Sequence, residues 1–186
     1  MRIISGKARG TKLVTIEEIT TRPTLDRVKE SLFNIIQSKI NQSCIVLDLF
    51  AGSGALGIEA LSRGAKKAYF CDTNKKAISA ITQNLEKTKL LEKAEIFNKD
   101  YIDCLERIKE PLDIIFLDPP YKLDLTGKAV KTIIDRNLLK EDGIIIVETD
   151  EEKRDLEELE SIPNISVIDK RKYGRASLIF IKEEKQ

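Results

Sequence analysis

Apolar residues along this chain fall into short unbroken runs that alternate with amphipathic stripes. Leu112–Leu117 is the clearest run: LDIIFL has no helical period, and it ends in an acid, two prolines and an aromatic, DPPY. Such a run suits a strand buried on both faces. Pro119 and Pro120 lack an N–H and cannot extend it. Similar runs predict strands at Ile45–Leu49, Lys67–Cys71, Ala94–Asn98 and Gly143–Glu148. Helices are expected between them, near Ala55–Arg63, Lys75–Leu90, Tyr101–Ile108, Leu125–Arg136 and Glu151–Leu159. Val167–Tyr173 and Ala176–Lys182, around Gly174, read as an antiparallel pair at the sheet edge. Strand–helix alternation of this kind predicts an α/β fold with a mostly parallel, doubly wound sheet and helices on both faces.

Residues 1–43 follow a different pattern, and the chain divides there into a basic extension (1–43) and the sheet domain (44–186). Arg2–Ser5 and Lys12–Ile16 flank Gly6 and Gly10, which suits a short hairpin. Arg22-Pro23-Thr24 then breaks the chain, and Thr24 or Asp26 caps a helix running to about Lys39. Val28, Leu32, Phe33, Ile35 and Ile36 form its apolar side. Between Met1 and Lys39 eight Lys/Arg stand against four acids, although the whole protein carries only +1. A local basic excess is either a solvated positive surface or the footprint of a phosphate backbone.

Composition narrows the chemistry. With 41% hydrophobic and 34% charged residues the chain reads as an ordinary globular protein. No apolar stretch approaches the ~18 residues of a membrane span, and MRIISGKARG lacks the features of a secretory signal, so a cytoplasmic, membrane-free protein is expected. Cys44, Cys71 and Cys104 are odd in number and widely spaced, which argues against a disulfide framework or zinc site; two of them suit the core. Histidine is absent altogether, which removes Ser-His-Asp and Cys-His pairs, His-ligated zinc and an imidazole base. No metal is expected.

The segment from Asp48 to Gly57, DLFAGSGALG, follows the first strand and opens a helix. Gly52 and Gly54 permit positive φ and a close approach of backbone to ligand, and Gly57 lets helix and strand pack tightly. Asp72 lies twenty residues after Gly52, where a carboxylate could accept ribose hydroxyls. NAD and S-adenosylmethionine both fit so far. Three features favour S-adenosylmethionine. Asp48 disfavours a pyrophosphate but suits an ammonium group. Asp100 could accept an adenine amine, though it could equally cap the following helix. Asp118-Pro119-Pro120-Tyr121 has no evident use in hydride transfer, whereas a stiff acid–imide–aromatic corner suits a planar amine such as that of a nucleobase; the alternative there is a plain proline turn.

LDLFAGSGALG with DPPY resembles the amino-directed branch of the class I methyltransferases. MRIISGKARG, RPTLDRVKESLFN and GALGIEALSRGA extend the match over almost the whole chain, to the RsmD family of 16S rRNA guanine-N2 methyltransferases. The resemblance implies a Rossmann-like, seven-stranded sheet with an antiparallel last hairpin. It also implies that Asp48, Gly52, Ser53, Gly54, Asp72 and Asp100 face S-adenosylmethionine, and that Asp118, Pro119, Pro120 and Tyr121 hold the target base. Phe50 and Tyr101 join the cofactor set. The expected partner is 16S rRNA or the small ribosomal subunit, met by a monomer through Arg2, Lys7, Arg9, Arg22, Thr24 and Arg27. The competing acceptors are DNA adenine and a protein glutamine; the competing class is a non-catalytic assembly factor. From Ile45 to Lys182 the sheet core leaves no room for a separate recognition domain, which favours a folded RNA read by shape.

Overall fold

The computed structural model describes residues 1–16 and 23–184, with the backbone alone at Pro23, Thr24, Leu25 and Tyr121. Arg22 therefore lies outside the described residues, as do the side chains of Thr24 and Tyr121.

Seven strands form one sheet: β1 (Ile45–Asp48), β2 (Lys67–Cys71), β3 (Ala94–Phe97), β4 (Leu112–Leu117), β5 (Leu139–Thr149), β6 (Ile165–Tyr173) and β7 (Ala176–Glu183). Their order is β3-β2-β1-β4-β5-β7-β6; the first five run parallel, and β7 is antiparallel to both β5 and β6. Six α-helices cover it: α1 (Pro23–Ile36), α2 (Ala55–Ser62), α3 (Lys75–Thr88), α4 (Tyr101–Arg107), α5 (Thr126–Asp135) and α6 (Glu152–Glu160). Successive strand residues point to opposite faces. Val46, Phe70, Ile114, Phe116, Ile146 and Phe180 pack under α1, α2 and α3. Leu47, Ile115, Val147 and Ile179 pack under α4, α5 and α6. All three cysteines are free and buried in this core. The strand order reverses between β1 and β4, and in open α/β sheets the ligand crevice opens at the carboxyl ends of the strands flanking such a switch.

Four expectations are corrected. The helix α1 begins at Pro23, so Thr24 and Asp26 lie in its first turn and do not cap it; a fixed φ suits proline to that first position. It ends at Ile36, and a single 3₁₀ turn spans Gln37–Lys39. The strand β5 starts at Leu139, four residues before Gly143, because Leu139 pairs with Leu112 across a register shift. The N-terminal hairpin is shorter than expected: one bridge, Arg2 with Lys12, in which Ile3 donates to the Thr11 carbonyl (3.0 Å) and Leu13 to the Met1 carbonyl (2.9 Å). The amides that follow turn to α2 instead: Ile4 and Ser5 donate to Glu59 Oε2 and Oε1 (both 3.0 Å), Lys7 to the Ser62 carbonyl (2.8 Å) and Ala8 to Ser62 Oγ (3.0 Å). A Cβ on Gly6 would lie 1.8 Å from the Ser62 carbonyl oxygen, so only glycine lets the loop close on α2. The fully buried Glu59 also accepts from Lys29 (3.1 Å) and Arg63 (2.9 Å).

Candidate active site

Two segments meet at the switch point. One is the glycine loop after β1. Phe50 and Ala51 both donate to the Cys71 carbonyl at the end of β2 (3.2 and 2.9 Å), which bends the chain sharply and holds Phe50 at φ 108°. A non-glycine residue there is strained, and such strain gathers at ligand sites. Gly52 and Gly54 take positive φ (56° and 78°), and Gly54 opens α2. A Cβ on Gly57 would lie 2.4 Å from Phe70 Cε1, so α2 lies directly on β2, as expected.

The loop's amides decide which ligand it suits. Gly52 donates to Asp72 Oδ2 (2.9 Å), Gly54 to the Ala51 carbonyl (2.8 Å) and Gly57 to Asp48 Oδ2 (3.0 Å). A pyrophosphate cradle needs such N–H groups free, and here protein acceptors hold all three. Asp48 is buried, and that burial pushes its pKa up to about 7; the Gly57 amide opposes the rise, while Asp72 and Glu148 add to it. Acids crowded around a glycine loop fit a cationic ligand rather than a phosphate.

The second segment follows β4. Asp48 is in register with Phe116, which sets Asp118 just past the same rim on the neighbouring strand, roughly 5 Å away laterally. Pro119 is buried and Pro120 exposed; the Pro120 carbonyl accepts from Leu123 (3.1 Å), closing a 3₁₀ turn over Tyr121–Leu123. Asp118 is exposed at the rim. Desolvation by the protein atoms around its carboxyl, then the charges of Glu148, Asp48 and Asp150, raise its pKa above the ordinary carboxylate value. Glu148, half-buried at the end of β5, is itself raised by burial.

The remaining sequence candidates sort by position. Asp72 faces the loop, its oxygens already accepting from Gly52 and Asn74 (2.9 and 2.8 Å). Ser53 is buried in the loop. Phe50 and Tyr101 meet at 6.0 Å between ring centroids, bridging the loop to the start of α4. Asp100 is the N-cap of α4, accepting from Asp103 (2.9 Å), so the capping alternative holds and only its free oxygen remains for a ligand. Arg2, Lys7, Arg9 and Arg27 are exposed.

Two residues of the site were missed in the sequence. Glu148 is the acid that ends an apolar strand run, the same signal that marked Asp118. Asn84 is a polar residue on the apolar stripe of α3. Its side chain accepts from Val14 (2.7 Å) and donates to the carbonyls of Val14 and Ser53 (both 2.9 Å), tying the N-terminal segment to the glycine loop.

Sheet order, switch point and paired segments define a Rossmann-like class I methyltransferase. The description Conserved hypothetical protein 95 matches residues 1–182, and the chain belongs to that family, the RsmD family. Ribosomal RNA small subunit methyltransferase D of Haemophilus influenzae is 43% identical over 157 residues, 82% of this chain and 80% of its own length. YlbH of Bacillus subtilis is 40% identical over 187 residues, 98% of this chain and 99% of its own. The solved structure of yhhF from Escherichia coli superposes with a TM-score of 0.83 at 30% identity, covering 100% of this chain and 99% of that one. Among the described residues no helix is long and apolar enough to cross a membrane, and no acid or cysteine group is arranged to hold a metal ion.

Proposed function

We propose that the protein transfers a methyl group from S-adenosylmethionine to the N2 amine of a guanine in 16S rRNA, within the assembled small ribosomal subunit. The observation that carries this reading is the meeting of Asp118 and the acid-ringed glycine loop at one switch point. The names of the Haemophilus influenzae and Escherichia coli relatives support the rRNA acceptor.

Bound S-adenosylmethionine supplies a methyl group already activated on a sulfonium centre, so neither a metal nor a covalent enzyme intermediate is required. The cofactor is to be held by Asp48, Phe50, Gly52, Ser53, Gly54, Asp72, Asp100 and Tyr101. A sulfonium cation held here would offset the crowding of acids that raises the pKa of Asp48 and Asp118. Asp118 and the Pro119 carbonyl then accept from the two N–H groups of the guanine amine, drawing its lone pair out of conjugation. They also stabilise the positive charge that develops on nitrogen. Tyr121 stacks on a base swung out of its helix. Once alkylated, the nitrogen carries an acidic proton that Asp118 or water accepts, so no imidazole is needed. Residues 1–43, with Arg2, Lys7, Arg9, Arg22, Thr24 and Arg27, serve as the basic extension that meets the RNA.

The test offers the protein four acceptors lacking the modification: small subunits, naked 16S rRNA, DNA and protein. Methylated nucleosides are then mapped by mass spectrometry. N2-methylguanosine at one position of 16S rRNA is the expected product; methyladenine in DNA or methylglutamine in protein would replace this reading.

A further inference from the structure

A second concavity, of about 470 Å³, lies between α1 and the β6–β7 turn. Arg27, Ser31 and Asn34 line it from α1, with Glu30 beside them, and Tyr173 and Gly174 close it from the turn. Its volume falls within the ~300–1,000 Å³ range of small-ligand sites. The strand register fixes where it sits. Thr149 pairs with Ser177 and Tyr173 with Ala176, so the turn stands just beyond the carboxyl end of β5. That is the rim on which Asp118 lies, two to three strand spacings or roughly 10–14 Å along the sheet edge. The N-terminal half of α1 lies at this same rim, because Lys39, beyond its far end, reaches the Asp142 carbonyl low on β5 (2.9 Å). One RNA strand can therefore occupy the Asp118 cleft and this groove together.

Its chemistry is that of a nucleotide site. Ser31 Oγ and Tyr173 OH share a hydrogen bond (2.7 Å) that fixes the phenol against α1. Glu30 and Asn34, both exposed, offer acceptors and an amide to a base edge. Arg27 lines the groove and Arg175 is exposed in the turn next to Gly174, and neither makes a salt bridge among the described residues, whereas Arg171 is held by Asp169 (3.0 Å) and Lys170 and Lys172 act on Glu152 of α6, on the other face of the sheet (Lys170 at 3.6 Å). Two exposed cations, Arg27 and Arg175, beside an aromatic and a base-reading edge match the platform-and-phosphate arrangement of single-strand binding.

We propose that this groove holds one unpaired nucleotide next to the target, its base stacked on Tyr173 and its phosphate met by Arg27 and Arg175. The proposal rests on the RNA acceptor reading above. Two measurements separate the two. Binding of the full chain to a short fluorescein-labelled single-stranded RNA of mixed sequence is followed by anisotropy, with no methyl transfer needed. Methylation of small subunits gives the acceptor KM, and calorimetry gives the S-adenosylmethionine affinity. Tyr173→Ala should weaken RNA binding and raise the acceptor KM about tenfold, the equivalent of one lost base stack, with cofactor affinity unmoved. Tyr173→Phe should keep most of the binding, because the ring remains. Should Tyr173→Ala fail to fold, the exposed pair Arg27→Gln and Asn34→Ala decides on the same readouts. RNA binding and acceptor KM within twofold of wild type in these variants would overturn the groove. Groove-dependent RNA binding without methylation of any RNA would keep the groove and sink the enzyme reading.

Discussion

Glu59 offers a sharp test of how the N-terminal segment is held. It is fully buried on α2, and four donors converge on it: the Ile4 and Ser5 amides, Lys29 Nζ and Arg63 Nε. Lys29 is only 3% exposed, and its other contact is the Arg2 carbonyl at 2.6 Å. Glu59→Ala therefore leaves a buried ammonium without its counter-charge, a change that costs roughly 3–5 kcal/mol. The two orphaned amides add to this only partly, since both are reachable by water; about 4 kcal/mol is the expected loss. For a domain of this size that is roughly 8–16 °C in Tm. Burial lowers the Lys29 pKa, and Glu59 partly opposes that fall. Without Glu59 the folded-state pKa drops further below the unfolded value, so the unfolded chain binds the extra proton over a wider window. Stability rises with pH through that window, and the deficit should be smaller at pH 9.5 than at pH 7. Urea unfolding at both pH values is the assay. Lys29→Met in the Glu59→Ala background should recover part of the loss. A Glu59→Ala loss below about 1 kcal/mol, or a double variant worse than the single one, would refute the argument.

Further expectations follow from single contacts. Gly6→Ala forces a Cβ into the Ser62 carbonyl at φ +85° and should destabilise by at least about 2 kcal/mol in the same assay. Asp48 holds its proton more tightly folded (pKa about 7) than unfolded, so its contribution is present at low pH and is lost as pH rises through about 4 to 7. Asp48→Asn should make the fall in urea midpoint between pH 4 and pH 8 shallower, and an unchanged slope would contradict the assignment. Asn84→Ala frees both Val14 and the Ser53 carbonyl, and should raise the KM for S-adenosylmethionine more than it lowers kcat.

Much of this was legible in the chain. The β1, β2 and β4 runs are buried on both faces, and unbroken apolar stretches signal that state directly. The glycine spacing fixed the loop, since Gly57 has room only for hydrogen against Phe70. What stayed hidden depends on partners distant in sequence. The start of β5 carries Lys140, Glu141 and Asp142, a polar stretch that reads as loop until Leu139 finds Leu112. Ile4 meets Glu59 fifty-five residues away, so the short hairpin also clamps α2. Asp100 could be read two ways, and local capping won because Asp103 N–H lies within reach without any ligand.

Asp118 is the most direct point of attack on the account. Asp118→Ala, loaded with S-adenosylmethionine and mixed in excess with undermethylated small subunits, should lose most of its single-turnover methyl transfer, while calorimetry returns a cofactor affinity close to wild type. Transfer at the wild-type rate would show that this carboxylate neither holds nor activates the accepting amine.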